Sequence, residues 1–257
     1  MPYRIDILQQ GFPGKSVCHG GLGWSTIALL RSDTHKILID VGAFNIRKPL
    51  AKQLRDLQVA PGDITDIVLT HAHYDHSINY VLFPNATVWI GKHEIEWAAA
   101  QPPGFNPLPE LYVAALATEN RVKRIVPGEE FLPGLAARLA PGHTPGCLVF
   151  TLSGNDVPVI FTGDAAKNRA ELMSGKTDMT MDEAASAASL KLIWKLWRET
   201  PGTLLIPGHD LTMKLGANGK PIYVGQRQAG IAAWFDEDIE ITTDFDIGGQ
   251  ASKMAAE

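Results

Sequence analysis

The sequence predicts an α/β fold in which two groups of strands carry helices on their outer faces. Three observations carry that prediction. Short apolar, β-branched runs recur along the chain, and several stop abruptly in turns rich in Gly, Asp or His. Longer segments with apolar residues three and four apart lie outside those runs, as helices packed on a sheet require. The length, 257 residues, suits one α/β domain of about 200–250 residues with enough chain to bury a sizeable core. No repeat is visible at the spacing of solenoids, so a single domain over residues 1–257 is expected.

Taken in order, Tyr3–Leu8 reads as an opening strand, followed by a Gly-rich loop over Gln9–Gly23. Ser25–Leu30 and Lys36–Val41 read as a hairpin through Ser32-Asp33-Thr34-His35. Ile46–Leu57 places Ile46, Leu50, Leu54 and Leu57 on one helical face. Pro61-Gly62-Asp63 turns into the apolar strand Asp66–Thr70, and Ala86–Ile90 and Lys92–Ala99 follow as strand and helix. Trp97–Asn120 looks like an insertion, with prolines at 102, 103, 107 and 109 before the apolar helix Glu110–Ala117. After Val122–Val126 comes a second group of strands, Leu135–Ala140, Leu148–Leu152, Val159–Asp164 and Leu204–His209. Between the last two, Asp182–Glu199 reads as a helix with Leu190, Ile193, Trp194 and Trp197 on one face and Asp182 as its cap. Asp236-Glu237-Asp238 and Asp244–Asp246 make the C-terminus acidic, and from about residue 236 to 257 a solvated tail is favoured over one covering a neighbouring protomer.

The run His71-Ala72-His73-Tyr74-Asp75-His76 puts four strong metal-binding side chains directly after a core strand. Open α/β sheets place their sites at the carboxyl ends of strands, and neutral imidazoles with a carboxylate suit zinc and neighbouring divalent ions. Three more ligand types stand at similar positions: His143 in Pro141-Gly142-His143-Thr144-Pro145-Gly146, Asp164 at the end of Val159–Asp164, and His209 at the end of Leu204–His209. Each is weak alone, since Gly-His and Gly-Asp often mark ordinary turns. Together, five histidines and two aspartates at strand ends are enough for two metal ions sharing one carboxylate.

With those residues in place, the chain from about Trp24 to His209 resembles the metallo-β-lactamase-fold hydrolases, whose HxHxDH signature is matched by His71, His73, Asp75 and His76. The resemblance implies an αββα sandwich of two mixed sheets with external helices. It implies that His71, His73 and His143 bind a first metal, that Asp75, His76 and His209 bind a second, and that Asp164 bridges them. The two ions would be divalent, zinc first, with manganese or iron as alternatives. The implied chemistry is attack by a metal-bridging hydroxide on a metal-polarised carbonyl, with Asp75 passing a proton to the leaving group and Asp164 holding the two metals together. The intact motif with short strand-end loops looks most like the lactonase and glyoxalase II-like branches, so a small lactone or ester is the expected substrate and a thioester the alternative. A diiron redox protein and a nuclease of the same fold are the remaining readings. The first is disfavoured by His73, where such relatives place a glutamate.

Departures from those branches limit the substrate. Asp164-Ala165-Ala166-Lys167-Asn168-Arg169 lacks the tyrosine that acyl-homoserine lactonases of this fold often carry shortly after the bridging aspartate. Cys147 stands where glyoxalase II-like sequences commonly have histidine, and it reads as a small buried residue opening a strand rather than as a reactive thiol. Candidate substrate contacts are Lys167, for a carboxylate or oxyanion, Phe12 and His19 in the Gly-rich loop, and Phe105 in the Pro-rich segment as part of an apolar wall.

Composition narrows the class further. The formal net charge of −5 offers no basic footprint for nucleic acid. No run reaches the roughly 18 apolar residues of a membrane span, and the first residues lack a secretion signal. Two cysteines make no disulfide framework, so a cytoplasmic enzyme is expected, with a small-molecule substrate and a homodimer left open. Three local motifs fail on inspection. Gly14-Lys15-Ser16 lacks the first glycine of a phosphate loop, and Gly20–Gly23 opens a strand rather than a helix. His93-Glu94 lacks a second histidine at position 97, and all three read as loop or surface chemistry.

Overall fold

The computed structural model of the chain describes residues 2–16, 18 and 20–249. His19, one of the candidate contacts, lies outside the described residues, as does the end of the acidic tail beyond residue 249. The strands are β1 (Arg4–Gln9), the short pair β2 (Lys15–Ser16) and β3 (Gly20–Gly21), β4 (Ile27–Arg31), β5 (Lys36–Ile39), β6 (Asp66–Leu69), β7 (Thr87–Gly91) and β8 (Val122–Ile125). The second half adds β9 (Glu130–Leu132), β10 (Leu135–Leu139), β11 (Leu148–Leu152), β12 (Val159–Gly163), β13 (Leu204–Pro207), β14 (Met213–Leu215), β15 (Pro221–Tyr223), β16 (Gly230–Ala233) and β17 (Thr243–Asp246). Helices are α1 (Arg47–Asp56), the single turn α2 (Tyr74–Ser77), α3 (Lys92–Ala99), α4 (Glu110–Thr118), α5 (Arg169–Ser174) and α6 (Glu183–Glu199).

Two mixed sheets result, one in the order β1-β4-β5-β6-β7-β8 and one in the order β15-β14-β13-β12-β11-β10-β9. Strand periodicity sorts the core into layers. Along β4, Ala28 and Leu30 face the second sheet, while Ile27 and Leu29 face the helices on the outside. The inner layer packs Val68, Ile37 and Ile39 of the first sheet against Leu135, Phe150, Phe161 and Ile206 of the second. One outer layer sets Leu50 and Leu54 of α1, Ile95 of α3 and Leu116 of α4 on Leu38, Ile67 and Val88. The other seats Leu190, Ile193 and Trp197 of α6 on Val149, Ile160 and Leu205. This is the expected αββα sandwich. Asp182 caps α6 by accepting from the Ala185 N–H at 2.9 Å, and no helix among the described residues is long and apolar enough to cross a membrane.

The acidic C-terminal stretch departs from the expected tail. Ile231 and Phe245 sit opposite one another in the antiparallel pair β16–β17, so residues 230–246 form a hairpin rather than irregular chain. Its backbone pairing was missed because Gly, Ala and Thr occupy much of both strands, and alternation is faint in strands of four residues.

Candidate metal centre

The seven candidate ligands come from both sheets and meet at one end of the sandwich. Strand β6 ends at Leu69, and Thr70 leads into His71, His73, Asp75 and His76, the last two on the single turn α2. From the second sheet, His143 lies between β10 and β11, Asp164 directly follows β12, and His209 follows β13 by two residues. The turn after β12 needs glycine: Gly163 has φ of +47°, and a side chain there would drive into Thr70.

Donor atoms fall into three overlapping groups: His71, His73 and His143; His71, His76 and Asp164; and Asp75, His76 and His209. Within each group they lie inside 4.8 Å of one another. His143 Nε2 is 2.9 Å from His73 Nδ1, and His76 Nε2 is 3.3 Å from His209 Nε2. Asp164 stands between the two sides. Its Oδ2 is 3.2 Å from His143 Nε2, and its Oδ1 is 3.2 Å from both His76 Nε2 and His209 Nε2. Asp75 Oδ2 lies 3.4 Å from His209 Nε2 and 3.6 Å from His76 Nε2.

Three of the rings are oriented by a group behind them. The His143 Nδ1–H donates to the Met179 carbonyl at 2.9 Å, which turns Nε2 toward the cluster. His76 Nδ1 donates to Asp40 Oδ2 at 2.7 Å, and His71 Nδ1 is 3.1 Å from the Thr70 hydroxyl. His71 Nε2 and Asp164 Oδ1 are buried and make no hydrogen bond of their own. Buried donors and acceptors are nearly always satisfied. A lone pair on each, aimed into a ring of imidazoles, fits a divalent cation as the missing partner.

The electrostatics divide the cluster. Burial holds His73 and His143 down to about 3, with Lys167 and neighbouring histidines adding to the effect against the pull of Asp164, so both rings are neutral and able to ligate. His71 is likewise held well below the usual imidazole range by burial and its histidine neighbours. At His76, burial opposes the charge, but Asp75, Asp164 and Asp40 outweigh it and raise the pKa. His209 is raised for the same reason, by Asp164 and Asp75 against burial. Asp164 is itself held well below the carboxylate range, because His209, His76 and His143 overcome its burial. One side of the cluster is therefore neutral, and the other carries a concentrated negative field.

Two buried carboxylates in this region were not singled out from the sequence. Asp40, directly after β5, has φ of +54° and accepts from the Thr70 N–H and hydroxyl, each at 2.8 Å, as well as from His76. Glu94, on α3, accepts from the Ala72 N–H at 2.9 Å, the Thr144 hydroxyl at 2.7 Å and the Gly146 N–H at 3.2 Å. It thereby ties the loop carrying His71 and His73 to the loop carrying His143. Any side chain at Gly146 would collide with the Glu94 backbone. The reading of His93-Glu94 as surface chemistry holds for exposed His93 and fails for Glu94, which is fully buried because the first turn of α3 points it between the two loops.

The weaker candidates separate. Phe12 stacks on Trp24, 4.7 Å between centroids, and its loop leaves the body at Gly11, packed against His209. That loop is clasped to the Met179 segment by a Lys15–Asp178 ion pair. Lys167 is committed to Glu171 at 2.8 Å and to the Asp178 carbonyl at 2.6 Å, which leaves its ammonium engaged with protein groups. Phe105 packs edge-on to Trp97, at 5.9 Å, on the flank of the outer core. The neighbouring Pro107 carbonyl accepts from the Tyr74 N–H at 3.3 Å, so the Pro-rich segment borders the motif loop through its backbone. Cys147 is fully buried beside β11, and burial raises its thiol pKa well above the usual range.

A sequence model of the metallo-beta-lactamase superfamily matches residues 20–209. An N-acyl homoserine lactonase from a Bacillus species is 27% identical over 176 residues, covering 66% of this chain and 66% of its own length, just under two thirds. The metallo-beta-lactamase domain-containing protein 1 of Xenopus laevis is 25% identical over 226 residues, 85% of this chain and 84% of that protein. A solved dizinc quorum-quenching lactonase, in complex with a product, superposes with a TM-score of 0.66 at 24% identity, covering 78% of this chain and 79% of the other. That likeness shows the shared fold.

Proposed function

The chain belongs to the metallo-beta-lactamase superfamily, and from that premise we propose that it opens the ring ester of a small lactone at a dinuclear metal centre. It is a metal-dependent hydrolase with a His/Asp cluster suited to two divalent ions. One observation carries the proposal: the two oxygens of Asp164 face opposite sides of the cluster, each 3.2 Å from the imidazoles of its own side. A carboxylate so placed suits a bridge between two ions.

In this reading His71, His73 and His143 would hold one ion, Asp75, His76 and His209 would hold the other, and Asp164 would serve both. When bound, the pair supplies a water ionised near neutral pH and a Lewis acid for a carbonyl oxygen, and zinc fits the nitrogen-rich set. The chain's own groups do the rest. Asp40 and the Met179 carbonyl fix which nitrogens of His76 and His143 point inward. Asp75 is half-buried, the least enclosed carboxylate of the cluster, and is the group best placed to pass a proton to the departing alkoxide. Phe12, stacked on Trp24 and one residue from Gly11, which packs against His209, is the candidate for an apolar wall beside the site. The lactonase relative supports an ester substrate over a thioester.

The test is a comparison of kcat/KM for lactones, aryl esters and S-acyl glutathiones on enzyme of measured metal content. Lactones should lead, and activity should fall with chelation and return with zinc, manganese or iron. A preference for S-acyl glutathione would replace the lactonase reading with the thioesterase one. Full turnover in metal-free protein would sink both.

A further inference from the structure

We infer that the hairpin β16–β17 is an exchanged arm, which in solution packs against a second copy of this chain. From residue 230 to 246 no residue is buried, and Ala233 alone is even half-covered. Yet the arm is not polar. Ile231, Trp234, Phe235, Ile239, Ile241 and Phe245 all stand in solvent, with Phe235 75% and Ile239 73% exposed. An isolated two-stranded hairpin is marginally stable at best in water. Contiguous apolar surface beyond a few hundred Å² marks an interaction site.

Area and charge both favour a second copy as the occupant. Trp234, Phe235 and Phe245 are 59%, 75% and 45% exposed. At about 150–250 Å² for each ring side chain, they alone leave roughly 350 Å² of aromatic surface in water. The three isoleucines bring one arm toward the ~800 Å² per partner of a standard interface. A two-fold axis then makes each chain bury both its own arm and the patch that receives its partner's. Exposed Ile222, Tyr223 and Val224, on and beside the edge strand β15 that precedes the arm in the chain, add apolar surface on the body. The arm holds six carboxylates and no Lys or Arg between Gly230 and Gly249. These exceed the chain's formal net charge of −5, so the rest of the chain carries no net negative charge to repel an incoming arm.

The root of the arm is fixed rather than loose. The Arg227 guanidinium pairs with Asp210, whose other carboxylate oxygen accepts from the Tyr223 hydroxyl at 3.0 Å. Asp210 adjoins His209, so the arm leaves the body one residue from the metal cluster.

Light scattering on the eluting full-length chain tests this directly. The expected mass at micromolar concentration is twice 27.9 kDa. Trp234→Asp combined with Phe235→Asp should return it to 27.9 kDa, with the far-ultraviolet circular dichroism of the body retained. Cancelling the arm's charge through Asp236→Lys, Glu237→Lys and Asp238→Lys, which leaves three carboxylates against three lysines, should weaken association at least tenfold. A wild-type chain that stays at 27.9 kDa across the concentration range overturns the inference, and would mean that the arm is bare or covered by its own chain. A dimer that survives both sets of substitutions overturns it as well.

Discussion

The Thr144 hydroxyl donates to the Glu94 carboxylate at 2.7 Å, and through that bond the loop bearing His143 is held to the loop bearing His71 and His73. The two loops belong to different sheets, and Glu94 belongs to a helix, α3, packed on the outer face of the first. Its three bonds set how far apart the ligands stand.

Removing the Glu94 side chain strands three buried groups: the Ala72 and Gly146 N–H donors and the Thr144 hydroxyl. At about 1–3 kcal/mol for each unsatisfied group, partly relieved by relaxation, Glu94→Ala should cost several kcal/mol and weaken metal binding about 10–100-fold. Thr144→Val should cost less, because Glu94 keeps its two N–H donors. Urea unfolding and competition against a chelator measure the two effects. Equal metal affinity in wild type and Glu94→Ala would refute the clamp.

Glu94 also makes stability depend on pH. Burial pushes its pKa up from 4.5 to about 7, against the bonds from Ala72, Thr144 and Gly146. Below the unfolded value both states keep the proton and the group contributes nothing. As pH rises from there toward 7, the unfolded chain ionises first and stability falls. Above that the loss is constant, on the order of 3 kcal/mol. Unfolding curves of the metal-free chain at acid and at mildly alkaline pH should therefore converge with those of Glu94→Gln at one end and separate at the other. Parallel stability profiles for the two proteins would contradict the shifted carboxyl.

Asp40 controls a tautomer. Asn can adopt the same left-handed backbone at this position, but its amide would present a donor to His76 Nδ1 and turn the ring's lone pair away from the cluster. Asp40→Asn should thus lower affinity about 10–100-fold, with the loss confined to one of two ions. Metal analysis after dialysis should find stoichiometry falling from two toward one. Retention of both ions at wild-type affinity would exclude this role.

Phe12 offers a milder test of the apolar wall. Phe12→Ala removes the ring stacked on Trp24 and should raise KM for lactones with long acyl chains several-fold, leaving metal content and kcat nearly unchanged. A matching rise for short-chain lactones would place the effect in loop order instead of contact with the chain.

What could be read from the sequence differs by residue. The grouping of His71, His73, Asp75 and His76 was legible because four ligand-type side chains crowd one strand end, and the glycine turns marked His143, Asp164 and His209, whose donor atoms gather with them. Asp40 and Glu94 were not. Each is a single carboxylate, lying 36 residues from His76 and 22 from Ala72 respectively, and only the folded sheets bring them behind the loops. Lys167 reads from the sequence as a contact for a carboxylate or oxyanion; Glu171, four residues on, is a local partner for it, but the Asp178 carbonyl that also engages it is set by the fold. The helix α6 was legible to its cap, because periodicity and capping are local. The C-terminal arm was obscured because its apolar residues cluster at the tip, whereas its paired strands are small and acidic.

The division of the candidate ligands between the sheets has a consequence beyond the site. Four come from the end of β6 in one sheet, and three from β10–β11, β12 and β13 in the other. The centre is therefore a caliper on the seating of one half against the other. A substitution deep in the shared layer, such as Phe150→Leu packed near Val68, touches no ligand. It would still be registered as a change in how tightly the ions are gripped.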